Sequence, residues 1–301
     1  MNEQEKFRGI LAPIVCPCTD DDMLDMDALA QNYARLLHSD VQGLYICGGT
    51  GDAAKLRFDE RKQAAEYLVP RLKEAGKCDI VHVGQTNQRD AVALAKHAYA
   101  LGADAVASIP PAAGWDQIVS WYKALAATGA PVIVYYIPGV TGVTAGMAQM
   151  RRLLDIPGVI GIKVSDWNLF LLHSIKQEYP DKIVYTGLDE MLPLGLLYGA
   201  DGAIGTWQNL LPDMYVKIYK AIKAGRYNDI VPMQEAFTDF LAIGWDYGII
   251  DTFEEIMHAK GYAVRCFRHP SAWAPGKVPT QVLQDLLCRL DALKKMAAEF
   301  T

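Results

Sequence analysis

No stretch of the 301-residue chain approaches the ~18 consecutive apolar residues that a membrane-spanning helix needs, so no span is expected. No apolar leader opens it either. Met1 to Arg8 is polar and charged, which makes the cytoplasm the expected compartment. No basic block stands out among 29 Lys and Arg against 35 Asp and Glu, and the formal net charge of −6 argues against nucleic acid as a partner. The six cysteines (Cys16, Cys18, Cys47, Cys78, Cys266 and Cys288) show no paired zinc spacing and read as buried free thiols. Cys16 and Cys18, two apart, would share one face if the chain is extended there. The six histidines form no metal-like spacing, and His82 alone lies on an expected strand, so a metal-dependent aldolase is disfavoured. No low-complexity linker divides the chain.

What is present is an alternation. Short apolar runs are followed by longer amphipathic stretches, beginning with Ile10–Val15 and then Asp25–His38. The next runs are Val41–Cys47, Asp79–Val83, Asp104–Ile109, Pro131–Ile137, Val159–Val164, Lys182–Thr186 and Gly202–Gly205. Helical stretches lie between them, one of them Asp59–Ala75 with Asp59 as expected N-cap. The last is Asp213–Ala224. Near-continuous apolar strands are what a parallel sheet covered on both faces requires. Eight strand-then-helix units predict an α/β fold, a (β/α)₈ barrel over residues 1–226. A doubly wound sheet is the alternative. Residues 227–301 show only helical patterns and read as a C-terminal helical extension.

In such a barrel the chemistry sits at the C-terminal ends of the strands. Lys163 closes the otherwise apolar run Val159–Val164. An ammonium buried there is costly, burial favours the neutral amine, and a neutral amine attacks ketones. The alternative is a lysine that reaches the rim or pairs with Asp166. Tyr135 and Tyr136 end the fifth run. Adjacent strand residues face opposite ways, so one tyrosine should point into the barrel close to Lys163, where a phenol could relay protons. Gly48-Gly49-Thr50-Gly51 lacks the Lys-Ser/Thr ending of a phosphate loop and suits a carboxylate, or is simply a tight turn. Asp189 and Glu190, after Gly187, could hold substrate hydroxyls, or Asp189 could cap the next helix, the role favoured for it. Thr206 is a further polar residue at the rim, and Ser165 should face the same way as Lys163.

Together these pieces resemble the pyruvate-dependent aldolase superfamily of dihydrodipicolinate synthase and N-acetylneuraminate lyase. The resemblance rests on Gly48-Gly49-Thr50-Gly51-Asp52, Tyr135 to Gly142, Gly161-Ile162-Lys163 and Gly199 to Gly205, and it runs from Gly9 to the C-terminal helices. It implies a Schiff base on Lys163, proton relay by Tyr135, and a pyruvyl carboxylate held by Gly49 and Thr50. It also implies chemistry without metal or organic cofactor, and a homotetramer. Within the superfamily, synthases usually carry an arginine where Val140 stands and tyrosines where Pro110-Pro111-Ala112-Ala113-Gly114-Trp115 stands. The lyase branch is therefore the closer likeness, with Ser165, Gly187, Asp189, Glu190 and Thr206 against the polyhydroxyl chain. Asp52 replaces the usual Glu, and Gly49 a frequent hydroxyl residue. The expected reaction is cleavage of a 2-keto-3-deoxy sugar acid to pyruvate and an aldehyde, N-acetylneuraminate being the leading substrate. Alternatives are another 2-keto-3-deoxy acid such as 2-keto-3-deoxygluconate, and dihydrodipicolinate synthesis. The rival from outside enzymes is a sugar-acid-binding barrel that has lost its chemistry, against which the set Lys163, Tyr135 and Thr50 speaks.

Overall fold

The computed structural model describes residues 4–263, 265–270 and 276–300. Eight parallel strands close into a barrel in sequence order. The chain runs β1 (Gly9–Pro13), α1 (Met26–Leu37), β2 (Gly43–Ile46), α2 (Phe58–Glu74), β3 (Cys78–His82), α3 (Gln88–Ala100), β4 (Ala105–Ser108) and α4 (Trp115–Ala126). It continues through β5 (Val132–Tyr136), a one-turn α5 (Pro138–Thr141), α6 (Met147–Leu154), β6 (Val159–Val164), α7 (Leu169–Glu178), β7 (Ile183–Thr186), α8 (Leu192–Leu197), β8 (Gly202–Ala203) and α9 (Pro212–Lys223). Three further helices follow, α10 (Val231–Tyr247), α11 (Ile249–Ala259) and α12 (Thr280–Glu299). No helix among the described residues is long and apolar enough to cross a membrane.

Each strand feeds two cores because its side chains alternate. Leu11, Tyr45, Ile80, Ile133 and Tyr185 fill the barrel interior. Their neighbours Ile10, Leu44, Val81, Val134 and Val184 meet the helices outside. Both faces are therefore apolar, which is why the strands read as unbroken hydrophobic runs. The extension is keyed to the barrel by Trp207, whose ring meets Phe240 of α10 and Phe253 of α11 edge-on at 4.9 and 5.5 Å.

Several local expectations are corrected. Asp59 does not cap α2. The helix begins one residue earlier, with Arg57 at the cap position, because the Glu60 carboxylate reaches back to the Arg57 amide at 2.8 Å. Cys16 and Cys18 do not lie on a strand: β1 ends at Pro13, and Cys18 instead bridges antiparallel to Leu24 and Arg265. All six cysteines are free, but Cys288 is exposed rather than buried, since it lies on the outer side of α12. Between β5 and β6 the chain makes two helices rather than one, the one-turn α5 at Pro138–Thr141 and then α6 from Met147.

Candidate active site

Lys163 is next to last in β6, and its register partner on β5 is Tyr135. Both point into the barrel, and both are about 5% exposed. Tyr136, one residue on, turns outward into the helical layer and its hydroxyl accepts the Ala145 amide at 3.1 Å. The Lys163 Nζ lies 4.2 Å from the centre of the Tyr135 ring and 5.3 Å from that of Tyr45. It therefore sits in an aromatic cradle rather than beside Asp166. The two rings meet edge-on at 6.3 Å. Below them lies His82, buried, whose Nε2 accepts the Ile109 amide at 3.0 Å. Burial, and then the charge of Arg61, hold its ring well below the usual imidazole range, so His82 is a neutral support packed against the Tyr45 and Tyr135 rings. Among the described residues no group of three or more His, Cys, Asp or Glu side chains is placed to hold a metal ion.

The cavity above Lys163 has a volume of about 380 Å³. Every residue expected at the site lines it: Gly49, Thr50, Tyr135, Lys163, Ser165, Gly187, Asp189, Glu190 and Thr206. Thr50 and Thr206 hydrogen-bond through their hydroxyls at 2.9 Å, joining the loops after β2 and β8. The Ser165 Oγ and the Tyr45 hydroxyl are buried without a hydrogen-bond partner. Two orphan polar atoms in one cavity are most simply satisfied by a ligand. Gly187 is required by packing. A Cβ there would stand 2.0 Å from the Ser165 Oγ and 2.7 Å from the Lys163 Cε. At Gly49, by contrast, a Cβ would meet nothing within 4 Å, so the missing hydroxyl there is a chemical choice and not a steric one.

Asp189 does not cap α8, contrary to the role favoured for it. It opens a 3₁₀ turn before that helix, and its carboxylate turns across the barrel mouth to accept the Tyr215 hydroxyl and, at 3.4 Å, the Trp207 amide. It packs so closely on Gly205 that a Cβ there would fall 2.0 Å from its Oδ1. Burial raises the Asp189 carboxyl to about 7, against the lowering effect of the Tyr215 hydrogen bond. Glu190, beside it, is raised too, again by burial. Asp52 serves as scaffolding. Its backbone is left-handed (φ +56°), and its carboxylate accepts the Arg268 amide at 2.8 Å, tying the loop after β2 to the C-terminal extension. The buried Arg268 guanidinium also donates to the carbonyls of Asp22 and Cys16, at 3.1 and 3.3 Å.

Four parts of the site escape a reading of the sequence. Tyr45 is hidden in an apolar run, and only its inward register marks it. Tyr215 reaches the site from α9. Trp245 and Ile250 reach it from the extension, far from any strand end, and no local signal announces them.

Comparison with known proteins agrees with this geometry. The model of the dihydrodipicolinate synthetase family matches residues 6–286. The N-acetylneuraminate lyase of Escherichia coli (strain SMS-3-5 / SECEC) is 30% identical over 258 residues, covering 84% of this chain and 86% of that protein. That of Enterobacter sp. (strain 638) is 30% identical over 260 residues, covering 84% and 87%. Among solved structures, N-acetylneuraminate lyase from Fusobacterium nucleatum superposes with a TM-score of 0.83 at 25% identity, covering 98% of this chain and 99% of that one. The sialic acid aldolase of Ruminococcus gnavus superposes at 0.90 over 98% of this chain and all of that one; its 23% identity speaks to the fold alone.

Proposed function

From a chain that belongs to the dihydrodipicolinate synthetase family, we propose a lyase that cleaves a 2-keto-3-deoxy sugar acid through a Schiff base on Lys163, releasing pyruvate and an aldehyde. The leading substrate is N-acetylneuraminate, with N-acetylmannosamine as the aldehyde, by likeness to the lyases just described. One observation carries the reading: a buried lysine, register-paired with an inward tyrosine, opens into a cavity that holds unpartnered polar atoms.

The proposed steps balance as follows. The deprotonated Lys163 amine adds to C2 of the keto acid, and the carbinolamine hydroxyl leaves as water with the Tyr135 phenol proton, giving a protonated imine and a Tyr135 phenolate. Tyr135 takes the proton of the C4 hydroxyl while the C3–C4 bond breaks. Its electron pair passes into the imine, giving an enamine, and the aldehyde departs. Protonation at C3 and hydrolysis return pyruvate and free lysine. The imine is itself the electron sink, so the scheme calls on no metal or organic cofactor. Gly49 and Thr50 would hold the carboxylate by a backbone amide and a hydroxyl. Ser165, Asp189, Glu190 and Thr206 would hold the hydroxylated chain, and Gly187 would keep the space between Ser165 and the lysine open.

In this reading residues 1–226 form the catalytic barrel and 227–301 an extension that completes its mouth. The enzyme works in the cytoplasm as a homotetramer. An apolar face on and beside α7 and α8 supports self-association: Trp167, Phe170, Leu194, Leu197 and Tyr198 are each more than 40% exposed. The deciding experiment is borohydride reduction in the presence of pyruvate with peptide mapping by mass spectrometry. A reduced pyruvyl adduct on Lys163, absent from Lys163→Ala, is the expected result. A folded protein that binds sugar acid but never forms the adduct would favour the binding-barrel alternative.

A further inference from the structure

The cavity has two halves of opposite character. Around Lys163 it is polar. Farther out, its wall is Ile137, Val140, Leu188, Trp245, Ile249 and Ile250. These come from three places: the end of β5 and its turn, the loop after β7, and the helices α10 and α11 of the extension. Val140, Trp245 and Ile250 are 71%, 55% and 40% exposed, although each lines a cavity that begins at a buried lysine. Large apolar side chains gathered at the mouth of a polar pocket mark a surface that a ligand covers. Charge points the same way. Among the described residues Lys163 is the sole Lys, Arg or His in the wall, so none of them at the outer end would pair with a second carboxylate or a phosphate on the departing aldehyde. The two acids, Asp189 and Glu190, would repel such a group.

We infer that the outer collar binds an apolar substituent carried by the aldehyde half of the substrate, so that the enzyme favours uncharged polyhydroxy aldehydes that also carry an apolar branch. This inference rests on the Schiff-base reading of Lys163 and adds the substrate class. The extension thereby becomes the specificity element, with the barrel supplying the chemistry. Each methylene buried against the collar should raise kcat/KM about three- to fourfold until the wall is covered.

The test is condensation of pyruvate with mannosamines whose N-acyl group lengthens from acetyl through propanoyl and butanoyl to pentanoyl, with a terminally hydroxylated butanoyl group as the polar control. The expected result is a kcat/KM that climbs along the apolar series and drops at the hydroxylated member. In Trp245→Ala/Ile250→Ala the climb should flatten, while the borohydride-trapped pyruvate adduct forms as in the unaltered enzyme. Both replaced side chains are substantially exposed, so folding is not at risk. A flat or falling series, or no condensation with any member, in an enzyme that still forms the adduct would overturn the collar and leave the aldolase intact. Absence of the adduct itself would overturn the aldolase reading and the collar with it.

Discussion

Tyr215, on α9, donates its hydroxyl hydrogen to the Asp189 carboxylate on the far side of the β7–β8 loops. The tyrosine is fully buried and the acid lines the cavity. A helix outside the barrel therefore fixes the direction in which a carboxylate faces the cavity. Tyr215→Phe should lower kcat for cleavage roughly tenfold, through loss of a hydrogen bond to a charged group. It should also move the acid limb of the rate profile upward in pH, because the lost bond holds the Asp189 carboxyl down towards 7. A profile with an unmoved limb would show that Asp189 takes no part in the reaction.

The vacancy at Gly49 invites a second variant. A Cβ there meets nothing within 4 Å, and the backbone is not left-handed. Gly49→Ser should fold normally and lower KM for pyruvate by roughly tenfold, by adding a hydroxyl donor to a carboxylate. Gly187→Ala is the opposite case. Its methyl would collide with Ser165 and Lys163, and activity should fall at least a hundredfold, with a stability cost of about 1–3 kcal/mol. Steady-state kinetics and thermal unfolding on both variants check the pair.

Far from the site, at the opposite end of the barrel, Asp79 and Asp104 exchange hydrogen bonds between backbone amides and carboxylates. Burial, and then the Asp104 charge, raise the Asp79 carboxyl to about 7. An acid raised in the folded state binds more protons there than in the unfolded chain. The stability this gives is therefore present in acid and lost as pH rises from about 4 to about 7, by up to about 1.4 kcal/mol per pH unit. Asp79→Asn keeps the acceptor without the charge. It should unfold at a higher temperature than the unaltered protein at pH 8, with the gap shrinking towards pH 5; an equal gap at both pH values would refute this.

Arg268 is 3% exposed and lies within 3.8 Å of both Asp52 and Glu60. Arg268→Ala would leave Glu60 buried without its cation and Asp52 with Lys55 alone, and should cost roughly 3–5 kcal/mol in chemical denaturation. Arg268→Lys should recover little, because one ammonium cannot reach the Asp22 and Cys16 carbonyls as well as both acids.

The architecture and the placing of a lysine and a tyrosine together at the strand ends could be read from the chain because both are written locally. A lysine interrupting the apolar run Val159–Val164 and a tyrosine pair ending the neighbouring one are strand-end signals, and alternation sends one of the two tyrosines inward beside Lys163, which the structure shows to be Tyr135. What could not be read depends on contacts across the fold. Asp189 looks like a helix cap because Asp commonly is one; its carboxylate is instead drawn to Tyr215, a residue 26 positions away. Asp59 lost the cap at α2 to the reach of Glu60. Trp245 and Ile250 belong to amphipathic helices whose sequences do not say what their exposed side chains overlook.

The clasp between Asp52 and Arg268 joins the loop after the second strand to a segment 216 residues further along the chain. During synthesis the lysine and its tyrosine emerge well before that segment does. A nascent barrel can thus hold Lys163 and Tyr135 in place while the loop after β2 is still untethered and the cavity mouth still unwalled. Under the proposed mechanism, competence follows the segment around Arg268 out of the ribosome, so a gain of activity on a translating ribosome would time that clasp, not closure of the barrel.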